Sequence, residues 1–409
     1  SYVKPFTLFP ALVLTGFLAA SGILMSAEPA VILKLPGTNG DPGKIRYDLL
    51  PTLKGEHAII SKVTFNETAH GVAQPLPNHM RFELHNYLAY FAGRFWCIWS
   101  DGPKIEDWPT QEIRFATSKD ALNWKLGGSV TGTPKAPYAY IARGLWIREG
   151  RLLALAAHYK GKGAFGVDKE LVLRAFAWNE SVQRWESAGK LYDNAINNFP
   201  PQRLPAGEWI LTRRDARFNV SVLIGGLKRL DDWQEFPVVG VGEVKGFRPD
   251  EPIFWALPNG TLNALYRDNS GSRRLFHSVS TNGGKKWGRP VISNFPNATS
   301  KLFSLQTSNK LRLLILNANP EVGRRELHLA MSYDGKTFTR MARLDIPSSP
   351  IHHAIDSPGM RARFRTGISS LQYPHAIERA GHLYLAFSRN KLQTELFRVP
   401  LKSIEALGF

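Results

Sequence analysis

The chain has 409 residues, 43% of them apolar, with 35 glycines and 27 prolines, a globular composition rich in turns. Lys and Arg outnumber Asp and Glu by 52 to 34, and the net charge of +18 favours an anionic partner. No zinc finger, RNP motif or basic run accompanies that charge, which argues against nucleic acid and for a charged glycan. The single cysteine, Cys97, excludes an internal disulfide and a cysteine-built metal cluster, and its apolar neighbours mark it as core.

Residues 1–27 carry Lys4, an apolar stretch from Phe6 to Met25 and small residues up to Ala27. That is the pattern of an export signal peptide, with a retained membrane anchor as the alternative. Residues 28–55 are rich in Pro and Gly and read as a linker; residues 56–409 form the folded domain. There, apolar strands alternate with turns, at 87–92, 95–99, 152–157, 171–177, 209–212, 220–224, 262–266, 311–316, 327–331 and 383–387.

Five aromatics, Trp124, Trp185, Trp233, Trp287 and Phe338, recur at steps of 61, 48, 54 and 51 residues by their numbering. Three of them close a similar word, the clearest being Ser280-Thr-Asn282-Gly-Gly284-Lys-Lys-Trp287; Ser118 to Trp124 and Ser332 to Phe338 are versions one residue shorter. In such a turn Ser and Asp or Asn bond the backbone, Gly supplies positive φ, and the aromatic packs between layers. This period in a strand-rich chain predicts an all-β, six-bladed β-propeller. Five blades carry the aromatic, 368–401 supplies a sixth, and a segment near 59–64 closes the ring; loose spacing over 130–200 leaves seven blades as the alternative. Residues 346–367, basic and proline-rich with His352 and His353, interrupt the rhythm and read equally as a loop over the central face or as a solvated connector. No phosphate-binding glycine loop, Ser-His-Asp order or HExxH word is present, so neither a cofactor nor a metal is expected.

The repeated words resemble the Asp boxes, or BNR repeats, of the sialidase (neuraminidase) superfamily, and the resemblance runs over about residues 80–400. The stretch from Glu251 to Arg267 is similar to the segment in which a glutamate precedes a hairpin and an arginine ends its second strand. Arg324-Arg-Glu-Leu-His-Leu looks like the segment that supplies another arginine, and Tyr373-Pro-His375 opens one similar to that of the catalytic tyrosine. The last words, with 294–301, resemble a bacterial branch called sialidase-like.

The resemblance implies that Arg267 and Arg324 clamp a carboxylate, that Tyr373 is the nucleophile and that Glu251 accepts its proton. An acid/base carboxylate is expected from the first blade, where Asp101, Glu106 and Asp107 fall in the window. His85 stands where the family has its first clamp arginine, with Arg81 four residues earlier. Arg214, after the strand 209–212, and His375, on the strand face of Tyr373, complete the binding candidates; Asn197 and Asn198 read equally as pocket lining and as turn formers. The implied activity is that of an exported glycoside hydrolase removing a terminal acidic sugar. Two alternatives stay open: a polysaccharide lyase acting on uronate through His85 and Tyr373, and a glycan-binding propeller without catalysis. The expected partner is an acidic glycan or polysaccharide, with no nucleic acid and no stable membrane insertion after leader removal; the oligomeric state is open.

Overall fold

The computed structural model describes residues 27–62, 81–104, 106–349 and 370–408. The leader up to residue 26 and the interrupting stretch from residue 350, with His352 and His353, lie outside the described residues.

Six twisted sheets surround one axis. Blade I comprises β3 (Phe82–Phe91), β4 (Arg94–Gly102), β5 (Glu112–Ser118) and β6 (Lys125–Ser129). Blade II comprises β7 (Tyr138–Arg148), β8 (Arg151–Lys160), β9 (Val172–Asn179) and β10 (Arg184–Asp193). Blade III has β11 (Gln202–Arg203), β12 (Trp209–Arg214), β13 (Val220–Gly225) and β14 (Trp233–Val239); blade IV has β15 (Pro249–Ala256), β16 (Leu262–Asp268), β17 (Arg274–Ser280) and β18 (Val291–Pro296). Blade V has β19 (Phe303–Gln306), β20 (Arg312–Leu316), β21 (His328–Ser332) and β22 (Arg340–Leu344). Blade VI joins β23 (Leu371–Arg379), β24 (His382–Arg389) and β25 (Gln393–Pro400) to β2 (Glu56–Ser61) from the start of the domain. Every strand read from the sequence is present, and the ring has six blades.

Trp124, Trp287 and Phe338 fall in the connection between the third and fourth strands of blades I, IV and V, and Trp185 and Trp233 at the start of the fourth strand of blades II and III. In blade I the Ser118 hydroxyl accepts from Ala121 N–H at 2.8 Å, and Asp120 accepts from Leu122 and Asn123 N–H at 2.9 and 2.8 Å. In blade V Ser332 accepts from Gly335 N–H and Asp334 from Lys336 and Thr337 N–H. Gly335 takes φ 73° there, the left-handed conformation that the turn demands. Trp124 and Trp287 each return an indole N–H to the carbonyl three residues back. Blade VI lacks the word for a topological reason: its third and fourth strands, β25 and β2, belong to opposite ends of the domain, so no hairpin joins them.

The 28–55 stretch is packed along the outer edges of the blades. Ala30 bridges Ser293 of blade IV, Leu33 bridges Phe338 of blade V, and β1 (Thr52–Leu53) adds a parallel fifth strand beside β22. The Asn294 side chain holds this strap by accepting from Ile32 and Leu33 N–H and donating to the Leu33 and Gly40 carbonyls. A buried carboxyl, Glu83, ties the closing strand to blade I by accepting from the Ser61 hydroxyl at 2.7 Å and from Thr394 N–H at 3.0 Å. Among the described residues, no helix is long and apolar enough to cross a membrane.

Candidate active site

Near one end of the axis, four innermost strands break register. The shifts fall between Leu84 and Tyr87 in β3, Ala142 and Gly144 in β7, Asp250 and Ile253 in β15, and Gln372 and His375 in β23. A β-bulge places an extra residue opposite one partner and re-aims its side chain. Here the re-aimed residues are His85, Arg143, Glu251 and Tyr373, and all four line one cavity of about 520 Å³, enough for a sugar ring. His85, Glu251 and Tyr373 take φ of 57°, 42° and 58°, a conformation that disfavours any side chain and that persists where packing enforces it. The β7 bulge depends on Gly144, because a Cβ there would lie 2.7 Å from Pro200 Cδ.

Tyr373 and Glu251 share one guanidinium. Arg267 Nη1 donates to Glu251 Oε2 at 2.8 Å and to the Tyr373 hydroxyl at 3.3 Å. Burial alone would raise the Glu251 pKa, but Arg267, Lys301 and Arg143 outweigh it and hold the carboxyl at about 2. Tyr373 is pushed up to about 12 by burial and then by Glu251. At rest, therefore, Glu251 is a carboxylate and Tyr373 a phenol. Arg324 stands beside them, its guanidinium 5.5 Å from the Tyr373 ring, donating to Gln372 Oε1 at 2.6 Å and the Thr299 carbonyl at 2.9 Å.

The blade I wall is a loop after β4 that carries Glu106 and Asp107. Asp107 accepts from the Tyr159 hydroxyl at 3.0 Å, and burial followed by the neighbouring charge of Glu106 raises its pKa to about 6. Lys391 pairs with Glu106. His85 Nε2 lies 3.7 Å from Glu106 and Nδ1 lies 3.0 Å from the Ser100 hydroxyl. The ring nevertheless stays neutral, because burial and then Arg143, Lys301 and Lys391 push its pKa well below the ordinary range. Arg214 forms an ion pair with Asp250 at 3.3 Å.

Beneath this layer a scaffold fixes the bulges. Lys301 is 1% exposed and donates to the Tyr87 hydroxyl at 2.5 Å; burial and Arg143 drive its pKa well down. Tyr87 donates to the Asn198 carbonyl at 2.6 Å. The Asn198 amide in turn donates to the Glu251 and Pro252 carbonyls at 3.0 and 3.1 Å.

The cavity thus brings together His85, Glu106, Asp107, Asn197, Asn198, Arg214, Glu251, Arg267, Arg324 and Tyr373. Three expected residues are corrected: Asp101, Arg81 and His375 do not line it. Asp101 and Arg81 are paired with each other where β4 ends, and Trp99 Nε1 also donates to Asp101 there at 3.3 Å. His375 turns inward among Tyr87, Phe199 and Phe303, accepts from Leu88 N–H at 2.9 Å, and is held neutral by burial, its pKa lowered to about 3. Sequence reasoning missed Arg143 as a wall residue and Lys301 beneath it. Arg143 had one signal: a lone charge followed by Gly144 inside an otherwise apolar strand. Among the described residues, no group of three or more His, Cys, Asp or Glu is arranged to hold a metal ion.

Residues 225–385 match the family model of the BNR repeat-like domain. No curated protein sequence matches the chain. A Dyadobacter fermentans protein of unknown function superposes with a TM-score of 0.61 at 13% identity, covering 86% of this chain and all of that one. Trypanosoma rangeli sialidase, in complex with sialic acid, gives 0.59 at 13% identity, covering 87% of this chain and 60% of the sialidase, which is the longer chain. The NanB sialidase of Streptococcus pneumoniae gives 0.56 at 10% identity over 79% of this chain and 69% of that one. At these identities the likeness carries the fold. In fold the chain is a six-bladed β-propeller like those of the sialidases, and its residues 225–385 are similar to the BNR repeat-like domain.

Proposed function

We propose that the axial cavity is the active site of an exported glycoside hydrolase that removes a terminal acidic sugar from glycans. The observation that carries this reading is the contact of the Tyr373 hydroxyl and the Glu251 carboxylate with one Arg267 guanidinium, in a cavity that also holds Asp107 with its pKa near 6. A substrate carboxylate is received by Arg267 and Arg324. Its negative charge offsets the field that keeps Glu251 at about 2, so Glu251 becomes a better base as the substrate arrives. Tyr373 then attacks the anomeric carbon and passes its proton to Glu251, while Asp107 gives a proton to the departing oxygen. Water, deprotonated by Asp107, attacks the anomeric carbon, and the departing Tyr373 oxygen takes back its proton from Glu251, which restores all three groups. The environments separate the two carboxyls in the direction their roles require, one protonated and one ionised.

The test is incubation of the protein with sialosides, uronate-containing and sulfated polysaccharides, beside Tyr373→Phe. Release of a saturated monosaccharide that disappears in the variant supports the hydrolase. Retention on an immobilised glycan without turnover would sink it in favour of a binding propeller. A second reading has its own observation: neutral His85 lies with its ring 5.4 Å from that of Tyr373, a base and a phenolic proton donor side by side. Elimination from a uronate would then yield an unsaturated product absorbing in the near ultraviolet, and His85→Ala would abolish it. Export rests on the reading of residues 1–27, and N-terminal sequencing of the exported protein checks it.

A further inference from the structure

Five of the six Arg and Lys side chains lining the cavity are already accounted for. Arg267 has Glu251, Arg214 has Asp250, and Lys391 has Glu106. Arg324 bonds Gln372 and the Thr299 carbonyl, and Arg248 is exposed to solvent at the rim.

Arg143 differs. It is 4% exposed and forms no ion pair among the described residues. The groups about it are the Asn197 carbonyl, accepting from Nη1 at a long 3.3 Å, and the Tyr87 hydroxyl. Its Nε is buried without a partner. A guanidinium taken out of water without a carboxylate or a full set of acceptors destabilises the fold that holds it. Here the backbone is shaped to keep it, in a bulge that requires Gly144 against Pro200. Nor is it a distant counter-ion that the site could do without: it acts on both working carboxyls, depressing Glu251 and Asp107 without touching either. A group kept at a loss to stability, inside the wall of the cavity, is what a ligand-binding residue looks like.

We propose that Arg143 is an anion-binding residue of the cavity, supplied by the second blade, which receives a carboxylate oxygen of the bound sugar. The inference deepens the hydrolase reading and rests on it in one respect, that the ligand is an acidic sugar. The substrate class it names is a monosaccharide unit whose carboxylate lies low in the cavity, within reach of Arg143 as well as Arg267. The ligand supplies the contacting carboxylate that the fold withholds from Arg143, so affinity for the acid exceeds that for its uncharged amide.

The test compares wild type, Arg143→Met, Arg143→Lys and Arg267→Met as full chains, by thermal unfolding and by calorimetric titration. The probes are N-acetylneuraminate, D-glucuronate and, as the neutral control, D-glucuronamide. Removal of a buried charge that contacts no carboxylate should lower the Arg143→Met midpoint less than loss of the Glu251 ion pair lowers that of Arg267→Met. The same variant should lose about tenfold or more in affinity for whichever acid binds wild type, the scale of one charge-assisted hydrogen bond, and Arg143→Lys should recover part of it. A midpoint lowered as far in Arg143→Met as in Arg267→Met overturns the proposal, because it marks a structural arginine. Retained acid affinity in Arg143→Met with loss in Arg267→Met overturns it too, while leaving the acidic-sugar reading standing. If neither acid binds wild type, both fall together.

Discussion

Two pairs of adjacent acids line the same cavity, Glu106 and Asp107 from blade I, Asp250 and Glu251 from blade IV. Both Asp107 and Glu251 are buried, and burial pushes both pKa values up. Asp107 has another carboxylate as its strongest neighbour and ends near 6; Glu251 has Arg267, Lys301 and Arg143 and ends near 2. The difference is made by the surrounding cations, Arg267 from the neighbouring strand of the same blade, Arg143 from blade II and Lys301 from the connection between blades IV and V, since burial acts alike on both. A carboxyl that keeps its proton and one that has lost it can then serve one reaction at one pH.

The sharpest way to break this comparison is to remove what Glu251 serves. Tyr373→Phe should lower kcat/KM on the cleaved glycoside by about a thousandfold or more, and a loss under about tenfold would dismiss Tyr373 as nucleophile. Asp107→Asn should cost about 10²–10⁴ in rate. In wild type the rate should fall as pH rises past about 6, where Asp107 gives up its proton, and in Asp107→Asn a pH–rate profile should show that limb gone.

The same contrast reads out in stability, with opposite signs. Glu251 is depressed to about 2 when folded against about 4.3 unfolded, so its contribution is complete above the unfolded value and is lost as pH falls through about 2. Asp107 is raised to about 6 when folded against about 3.9 unfolded, so its contribution is present at low pH and withdrawn as pH rises through about 6. Denaturant midpoints at pH 7 should therefore show Glu251→Gln less stable by about 3 kcal/mol and Asp107→Asn more stable by up to a similar amount. At pH 4 the Asp107→Asn gain should be nearly gone. Lys391 lowers the Asp107 pKa, so Lys391→Met should move the alkaline limb to higher pH, a smaller effect that sharpens the assignment. The smallest belongs to the periphery: Asp120→Ala removes acceptors from a blade I turn and should reduce stability by about 1 kcal/mol with turnover unchanged.

Turn and cavity also differ in how far they could be read from the chain alone. The turn around Asp120 is local, its hydrogen bonds spanning two or three residues, so the word Ser118-Lys-Asp120 carries the structure within itself. The five aromatics locate five hairpins for the same reason. Tyr373, Glu251 and Arg267 were legible through family words, although nothing local says that they meet. Arg143 had no word, because its role depends on a register shift in β7 that Pro200, far along the chain, accommodates. Asp101 shows the converse: spacing put it in the acid/base window, and a salt bridge with Arg81 and an indole N–H hold it elsewhere. His375 shares a strand with Tyr373, but the bulge between Gln372 and His375 breaks the alternation that would have kept both on one face.

The crossed termini set an order in time. β2 is among the first segments of the domain to leave a ribosome, yet its partner β25 is among the last, and β1 waits for β22. Blades II to IV can pair their own strands as they emerge, each from neighbouring stretches of chain. The cavity cannot, since Tyr373 and Lys391 arrive with the final blade. Until Glu83 of blade I has both Ser61 and Thr394 as partners, the growing chain is an open arc, and the cavity is complete only once the final blade of the domain has emerged.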